Sequence, residues 1–154
     1  MEPDAAPAPV PAGFPGAPQA RPGWVLVVDD TDSIRLLIRI NLELAGFLVV
    51  DRPDGQAAVD LLERSDPLPA VVVVDAQMEP RDGWWVVSWL RDRASTTHVP
   101  VVMVTAAMQD HERKRAGAIG VDAFVTKPFD PDELVDLVEG FAAQGRAFRP
   151  EGRP

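Results

Sequence analysis

The chain has 154 residues, no cysteine and a formal net charge of −9, and 46% of its residues are hydrophobic. That length suits one ordinary domain with a packed core, and the lack of cysteine excludes a disulfide framework, a thiolate zinc site and a Cys nucleophile. The negative balance speaks against a sequence-independent grip on nucleic acid and against an anionic membrane surface.

Residues 1–23 carry seven prolines among alanine and glycine. Such a stretch buries too little apolar area to offset its ordering entropy, so a disordered Pro/Ala-rich tail is expected there. No basic region followed by an apolar one opens the chain, and no apolar run approaches the ~20 residues of a membrane span. A cytoplasmic protein with no membrane partner is expected. From Gln144 to Pro154 the sequence turns to Gly, Arg and Pro, and a short flexible tail is expected. The folded unit is expected over residues 24–143.

Within it, short apolar runs alternate with helical patterns. Trp24–Val28 reads as a strand ending in Asp29-Asp30. Ser33–Ala45 reads as a helix, with Leu37, Ile40 and Leu44 as its apolar stripe and Gly46 placed to stop it. Phe47–Asp51 is a second strand, and Gly55–Arg64 a helix presenting Ala58, Leu61 and Leu62 to the core. Ala70–Val74 is a third strand whose unbroken apolar run implies burial on both faces. Gly83–Arg93 is a helix, Val99–Val104 a strand, Asp110–Ala116 a short polar helix and Val121–Val125 a strand. Pro131–Phe141 is a last helix with proline in its first turn. Five βα units imply a three-layer α/β/α sandwich around a five-stranded parallel sheet, and ligands of such sheets sit at the carboxyl ends of the strands.

Those ends carry the chemistry. The first strand ends in Asp29-Asp30, the third in Asp75, the fourth in Thr105, and the fifth runs into Lys127-Pro128. Each alone has an ordinary explanation: a solvated acidic turn, a helix cap, a surface lysine. Their joint occurrence at successive strand ends does not. Three carboxylates in one crevice repel each other, and Mg²⁺ relieves such repulsion through oxygen ligands. Lys127 adds a positive charge and Thr105 a hydroxyl donor. Mg²⁺ and a lysine neutralise charge on a transferring phosphoryl group while one aspartate acts as nucleophile.

The pattern resembles the receiver domain of response regulators, the family of the chemotaxis response regulator. The resemblance rests on Val-Val-Asp29-Asp30, Val-Val-Asp75, Asp82-Gly83, Val-Thr105-Ala106 and Lys127-Pro128-Phe129, and it covers the whole folded unit. It implies the strand order 2-1-3-4-5. It implies that Asp75 is the phosphoacceptor, and that Asp29, Asp30 and Asp75 hold Mg²⁺ with the backbone carbonyl of Gln77. Thr105 would bond a phosphoryl oxygen, Lys127 would contact the phosphoryl group and precede a cis peptide, and Phe124 would be the aromatic that turns inward with Thr105. The implied partners are a sensor histidine kinase or histidine phosphotransfer protein and an unidentified downstream protein, with no direct DNA binding. The implied activity is self-catalysed phosphotransfer and dephosphorylation, a signalling switch rather than a metabolic enzyme. The flanks offer no room for an output module, so a stand-alone receiver is expected.

Three departures stand out. The loop reads Met78-Glu79-Pro80, with its proline one place later than is usual in the family. Gln77 and Ala107, two residues past Asp75 and Thr105, occupy positions that tune acyl-phosphate lifetime in the family. Third, Gly83–Leu90 contains Trp84, Trp85 and Trp89. Val86, Val87 and Leu90 share the natural core face, so Trp85 and Trp89 are a candidate partner surface. At least one is expected to be substantially exposed; the alternative is a pair lying flat beneath arginines such as Arg93. His98 and His111 read as surface residues, and Arg113-Lys114-Arg115 as a solvated face.

Rival readings are weaker. An aspartyl-phosphate phosphatase of the haloacid-dehalogenase type needs a second Asp where Gln77 stands. A flavodoxin-like FMN carrier needs a hydroxyl- and Gly-rich loop where this chain has two acids. A receiver that works without phosphorylation would have lost one of the five residues, and all five are present.

Overall fold

A computed structural model of the chain describes residues 23–106 and 109–150. Most of the Pro/Ala-rich segment, Ala107 and residues 151–154 lie outside the described residues. The elements alternate throughout: β1 (Trp24–Val28), α1 (Asp32–Leu44), β2 (Leu48–Arg52), α2 (Gly55–Glu63), β3 (Val71–Asp75), α3 (Gly83–Arg91), β4 (Val101–Thr105), α4 (Asp110–Ile119), β5 (Ala123–Thr126) and α5 (Pro131–Gln144). The five strands form one parallel sheet in the order β2-β1-β3-β4-β5. This is the expected three-layer architecture and strand order.

Alternation along each buried strand builds two cores from one sheet. Trp24, Leu26 and Val28 of β1, Val72 and Val74 of β3, and Val101 and Met103 of β4 face α2, α3 and α4. Val25, Val27, Val71, Val73, Val102 and Val104 face α1 and α5. Aspartates open three helices: Asp54 accepts from Ala57 N, Asp82 from Trp85 N and Asp130 from Asp132 N, each at 2.9 Å. These caps fix where the chain leaves each strand end and enters the following helix.

Two expectations fail. The stripe read on α1 does not face the core: Leu37, Ile40 and Leu44 are 40%, 44% and 74% exposed, and Leu36 is 55% exposed. Ile38 and Leu42 are buried instead, with Ile34 partly buried beside them. The helix carries apolar residues at helical spacing on two faces, so periodicity alone selects neither. Packing against Val25, Val27 and α5 selects the Ile38/Leu42 side. The second failure is the tail expected from Gln144. α5 runs to Gln144 and a 3₁₀ turn follows over Gly145–Ala147. Phe148 then packs edge-on against Phe141 with ring centroids 5.0 Å apart, and Arg146 Nε donates to Asp122 Oδ1 at 2.8 Å. One aromatic anchor and one buried carboxylate hold a stretch whose composition reads as unstructured.

No helix among the described residues is long and apolar enough to cross a membrane.

Candidate functional site

Register brings the site together. Val28 pairs with Val74, so Asp29 and Asp75 leave adjacent strands at the same level. Asp75 pairs with Val104, which places Thr105 one residue farther along β4, and Thr105 pairs with Thr126, the residue before Lys127. The Lys127 N–H donates to the Thr105 carbonyl at 2.6 Å, and the Lys127–Pro128 peptide is cis, as the resemblance implies.

The carboxylates of Asp29, Asp30 and Asp75 offer oxygen atoms that all lie within 4.8 Å of one another. Asp29 is 1% and Asp75 7% exposed, whereas Asp30 faces solvent. Lys127 Nζ lies 3.3 Å from Asp29 Oδ2 and 3.5 Å from Asp75 Oδ2. The remaining oxygens are held by backbone: Thr31 N–H donates to Asp29 Oδ1 at 2.9 Å, and Gln77 N–H to Asp75 Oδ1 at 3.3 Å. Burial, then the Asp29 carboxylate, pushes the Asp75 carboxyl above the ordinary value of 3.8; Lys127 and the Gln77 N–H oppose this, and Asp30 adds to it. Three acids against one lysine leave a surplus of negative charge on hard oxygen donors. That donor set fits Mg²⁺ or a similar oxygen-loving dication and has no soft ligand to favour zinc or copper.

The loop beyond Asp75 returns to α3. Met78 is buried, and Gly83 N–H donates to the Ala76 carbonyl at 3.0 Å. A Cβ on Gly83 would collide with the Asp75 carbonyl oxygen, so only glycine permits this approach. Sequence reasoning missed Arg35 of α1. Its Nη1 donates to the Asp29 carbonyl at 2.7 Å, and its Nη2 and Nε reach Asp32 and Asp51 at 2.8 and 3.3 Å. It braces the turn that carries both acids, and nothing in its spacing marks it.

The other singled-out residues lie away from the pocket. Phe124 is partly buried on β5, with the Arg113 guanidinium 4.6 Å from its ring centroid. His98 and His111 are exposed. Trp85 and Trp89 are each partly buried, and neither reaches the substantial exposure expected of one of them. Arg81 stacks on Trp85 at 4.9 Å and Arg93 on Trp89 at 4.1 Å. The arginine stems and guanidinium planes shield the rings, as in the alternative reading. Arg113 and Arg115 are likewise more than a solvated run, because Arg115 stacks on Trp84 at 4.5 Å.

The fold and the pocket together define a doubly wound protein of the receiver type, with its acids, hydroxyl and lysine at the carboxyl end of the sheet. Comparison with known proteins agrees. The chain belongs to the response regulator receiver domain family, which matches residues 25–139. It is 35% identical over 127 residues to an uncharacterised 14.6 kDa protein of Leptolyngbya boryana, covering 82% of this chain and 93% of that one. It is 36% identical to response regulator Rre1 of Synechocystis, covering 86% of this chain and 57% of that one. It is also 36% identical to the phosphate regulon transcriptional regulatory protein PhoB of Klebsiella pneumoniae, covering 75% of this chain and 49% of that one. The chain thus spans about half the length of these two regulators. Among solved structures, a putative response regulator of Chloroflexus aurantiacus aligns with TM-score 0.74 and 27% identity, over 80% of this chain and all of that one. The chemotaxis protein CheY4 of Vibrio cholerae aligns with TM-score 0.70 and 26% identity, over 79% of this chain and 98% of that one. The chain is therefore a receiver domain of two-component signalling.

Proposed function

We propose that Asp75 accepts a phosphoryl group from a phosphohistidine of a sensor histidine kinase or histidine phosphotransfer protein, and that the acyl phosphate changes which partner the domain binds. The observation that carries this reading is the placing of Asp75. Its carboxylate is buried at a strand end, held on Oδ1 by the Gln77 N–H and faced on Oδ2 by Lys127 at 3.5 Å. In the transfer, an Asp75 carboxylate oxygen attacks phosphorus. The bond from phosphorus to the donor imidazole breaks, and its electron pair returns to the ring nitrogen. Asp29, Asp30, Asp75 and the Gln77 carbonyl are the groups to hold Mg²⁺, which when bound offsets negative charge on the phosphoryl oxygens. Lys127 balances the same charge from the β5 side, and the Thr105 hydroxyl bonds a phosphoryl oxygen. As Thr105 moves toward that oxygen, Phe124 turns into the space behind it, a two-state element biased by a local charge. The chain's own part is self-catalysed transfer and hydrolysis, and it has no metabolic substrate.

The exposed Leu36, Leu37, Ile40 and Leu44 face of α1 supports the donor assignment. Among the described residues these four are the exposed large hydrophobics, and α1 starts two residues past Asp30. A helical donor that brings its histidine over the strand ends has this face alongside it for docking.

The test is labelling with acetyl phosphate and Mg²⁺, read by intact mass. A gain of roughly 80 Da that is absent in Asp75→Asn is expected for one phosphoryl group. Labelling that persists in Asp75→Asn, or no labelling of the wild type together with no response to beryllofluoride, refutes the assignment.

A further inference from the structure

α4 is held against the domain by little apolar surface. Of its ten residues only Ala116 is buried. Its carboxyl end is pinned, because the Gly120 carbonyl accepts from Arg91 Nε at 3.0 Å. Its middle is held by rings. Arg113 stacks on Phe124 of β5 at 4.6 Å, and Arg115 stacks on Trp84 of α3 at 4.5 Å. At 100° per residue these arginines lie about 60° and about 100° to either side of Ala116, so they straddle the inward face. Lys114 between them points outward and is exposed.

Both rings belong to elements that form the acid pocket. Trp84 follows Gly83, which sits against the Asp75 backbone, and Phe124 lies on the strand that delivers Lys127. We infer that Arg113 and Arg115 form a two-armed clamp that holds α4, and through it Phe124, in the unmodified arrangement, with Arg91 at Gly120 as the pivot. This rests on the proposed function above, in which Phe124 leaves its present position. The ring cannot turn inward without sliding from beneath Arg113. α4 cannot swing about Gly120 without drawing Arg115 from Trp84. Arg113 and Arg115 are therefore positioning residues that set how readily the domain switches, and they touch no reacting atom.

The experiment is a beryllofluoride titration of the full chain with Mg²⁺, followed by the ¹⁹F NMR signal of bound fluoride. Arg113→Ala and Arg115→Ala are each expected to lower the midpoint about twofold to fivefold, as the loss of one exposed guanidinium–ring stack implies. The two effects multiply in the double variant if the arms act independently. Arg113→Lys and Arg115→Lys, which keep a cation over the ring, fall between wild type and alanine and guard against misfolding of the alanine forms. Lys114→Ala leaves the midpoint unchanged. Midpoints equal to or above wild type in both alanine variants overturn the inference, and so does an equal drop in Lys114→Ala, which would make the effect one of net charge. A wild type that binds no beryllofluoride removes the proposed function and this inference with it. Asp75-dependent binding with unmoved variants removes this inference alone.

Discussion

Replacing Asp75 by asparagine should make the domain more stable at neutral pH, although it removes the proposed functional atom. The carboxylate oxygens lie within 4.8 Å of each other. At that outer limit Asp29 repels Asp75 by at least about 3.5 kcal/mol at an effective dielectric of 20, while exposed Asp30, nearer the water limit, adds at least about 0.9 kcal/mol. Lys127, 3.5 Å from Asp75, returns roughly 4.7 kcal/mol on the same scale. Attraction and repulsion nearly cancel, so burial of the charge decides the sign. Asparagine keeps the shape and can still accept from Gln77 N–H, and Lys127 keeps Asp29 at 3.3 Å. A net gain on the order of 1–2 kcal/mol follows, within the range of a single relieved buried charge.

The pH dependence supplies a sharper check. The folded-state pKa of Asp75 is raised above 3.8, so the folded protein binds its proton more tightly than the unfolded chain does. Its contribution to stability is fully present below the unfolded value and is lost as pH rises through the folded value. The advantage of Asp75→Asn is therefore largest at neutral pH and shrinks as pH falls toward 3.8. Urea unfolding of both proteins, in EDTA and in Mg²⁺, measures this directly. Mg²⁺ should stabilise the wild type more than the variant and narrow the gap. Equal stability at neutral pH in EDTA, or an advantage that grows on acidification, refutes the reasoning.

Three further outcomes are expected. Ile40→Glu on the exposed face of α1 should change urea stability by less than about 0.5 kcal/mol and leave labelling by acetyl phosphate intact. The same variant should slow transfer from a protein phosphodonor at least about tenfold; unchanged transfer kinetics would remove α1 from the docking surface. Asp122→Ala should cost about 3–5 kcal/mol in urea unfolding, because its buried carboxylate is shared by Arg91 Nη2 at 2.9 Å, Arg146 Nε at 2.8 Å and the Val101 N–H at 2.8 Å. Gly83→Ala should destabilise by about 1–3 kcal/mol and reduce Asp75 labelling, since the new methyl meets the Asp75 carbonyl; wild-type labelling and stability would show that the loop yields freely.

The architecture was legible because two periodicities never compete within it. Strands buried on both faces read as continuous valine runs, and Gly46 and Pro131 mark a helix end and a helix start between or beside them. The pocket was legible for a related reason. Parallel strands in register deliver the residue after each run to one edge, so Asp29, Asp75, Thr105 and Lys127 converge without any knowledge of loops. Edges that depend on one or two side-chain contacts were not legible. Phe148 reads as one aromatic in a Gly/Arg/Pro stretch until Phe141 and the bare Gly140 backbone give it a seat.

The orientation of α1 and the shielding of α3 share a deeper cause. Patterning predicts which face of a helix is buried only when one face is apolar. α1 carries Ile34, Ile38 and Leu42 toward the sheet and Leu36, Leu37, Ile40 and Leu44 away from it. The choice between them is made by tertiary packing, which no window of sequence contains. Trp85 and Trp89 of α3 reverse the case: their side of the helix looked open, yet Arg81 and Arg93 close it from positions outside its apolar pattern. A guanidinium plane is weakly hydrated and stacks on a ring while its outer edge stays in water, so it covers apolar surface without registering as hydrophobic. The same property lets α4, nearly devoid of buried apolar residues, stay docked through Arg113 and Arg115. A helix held by such stacks is released at small cost in free energy, which is what a switch element requires.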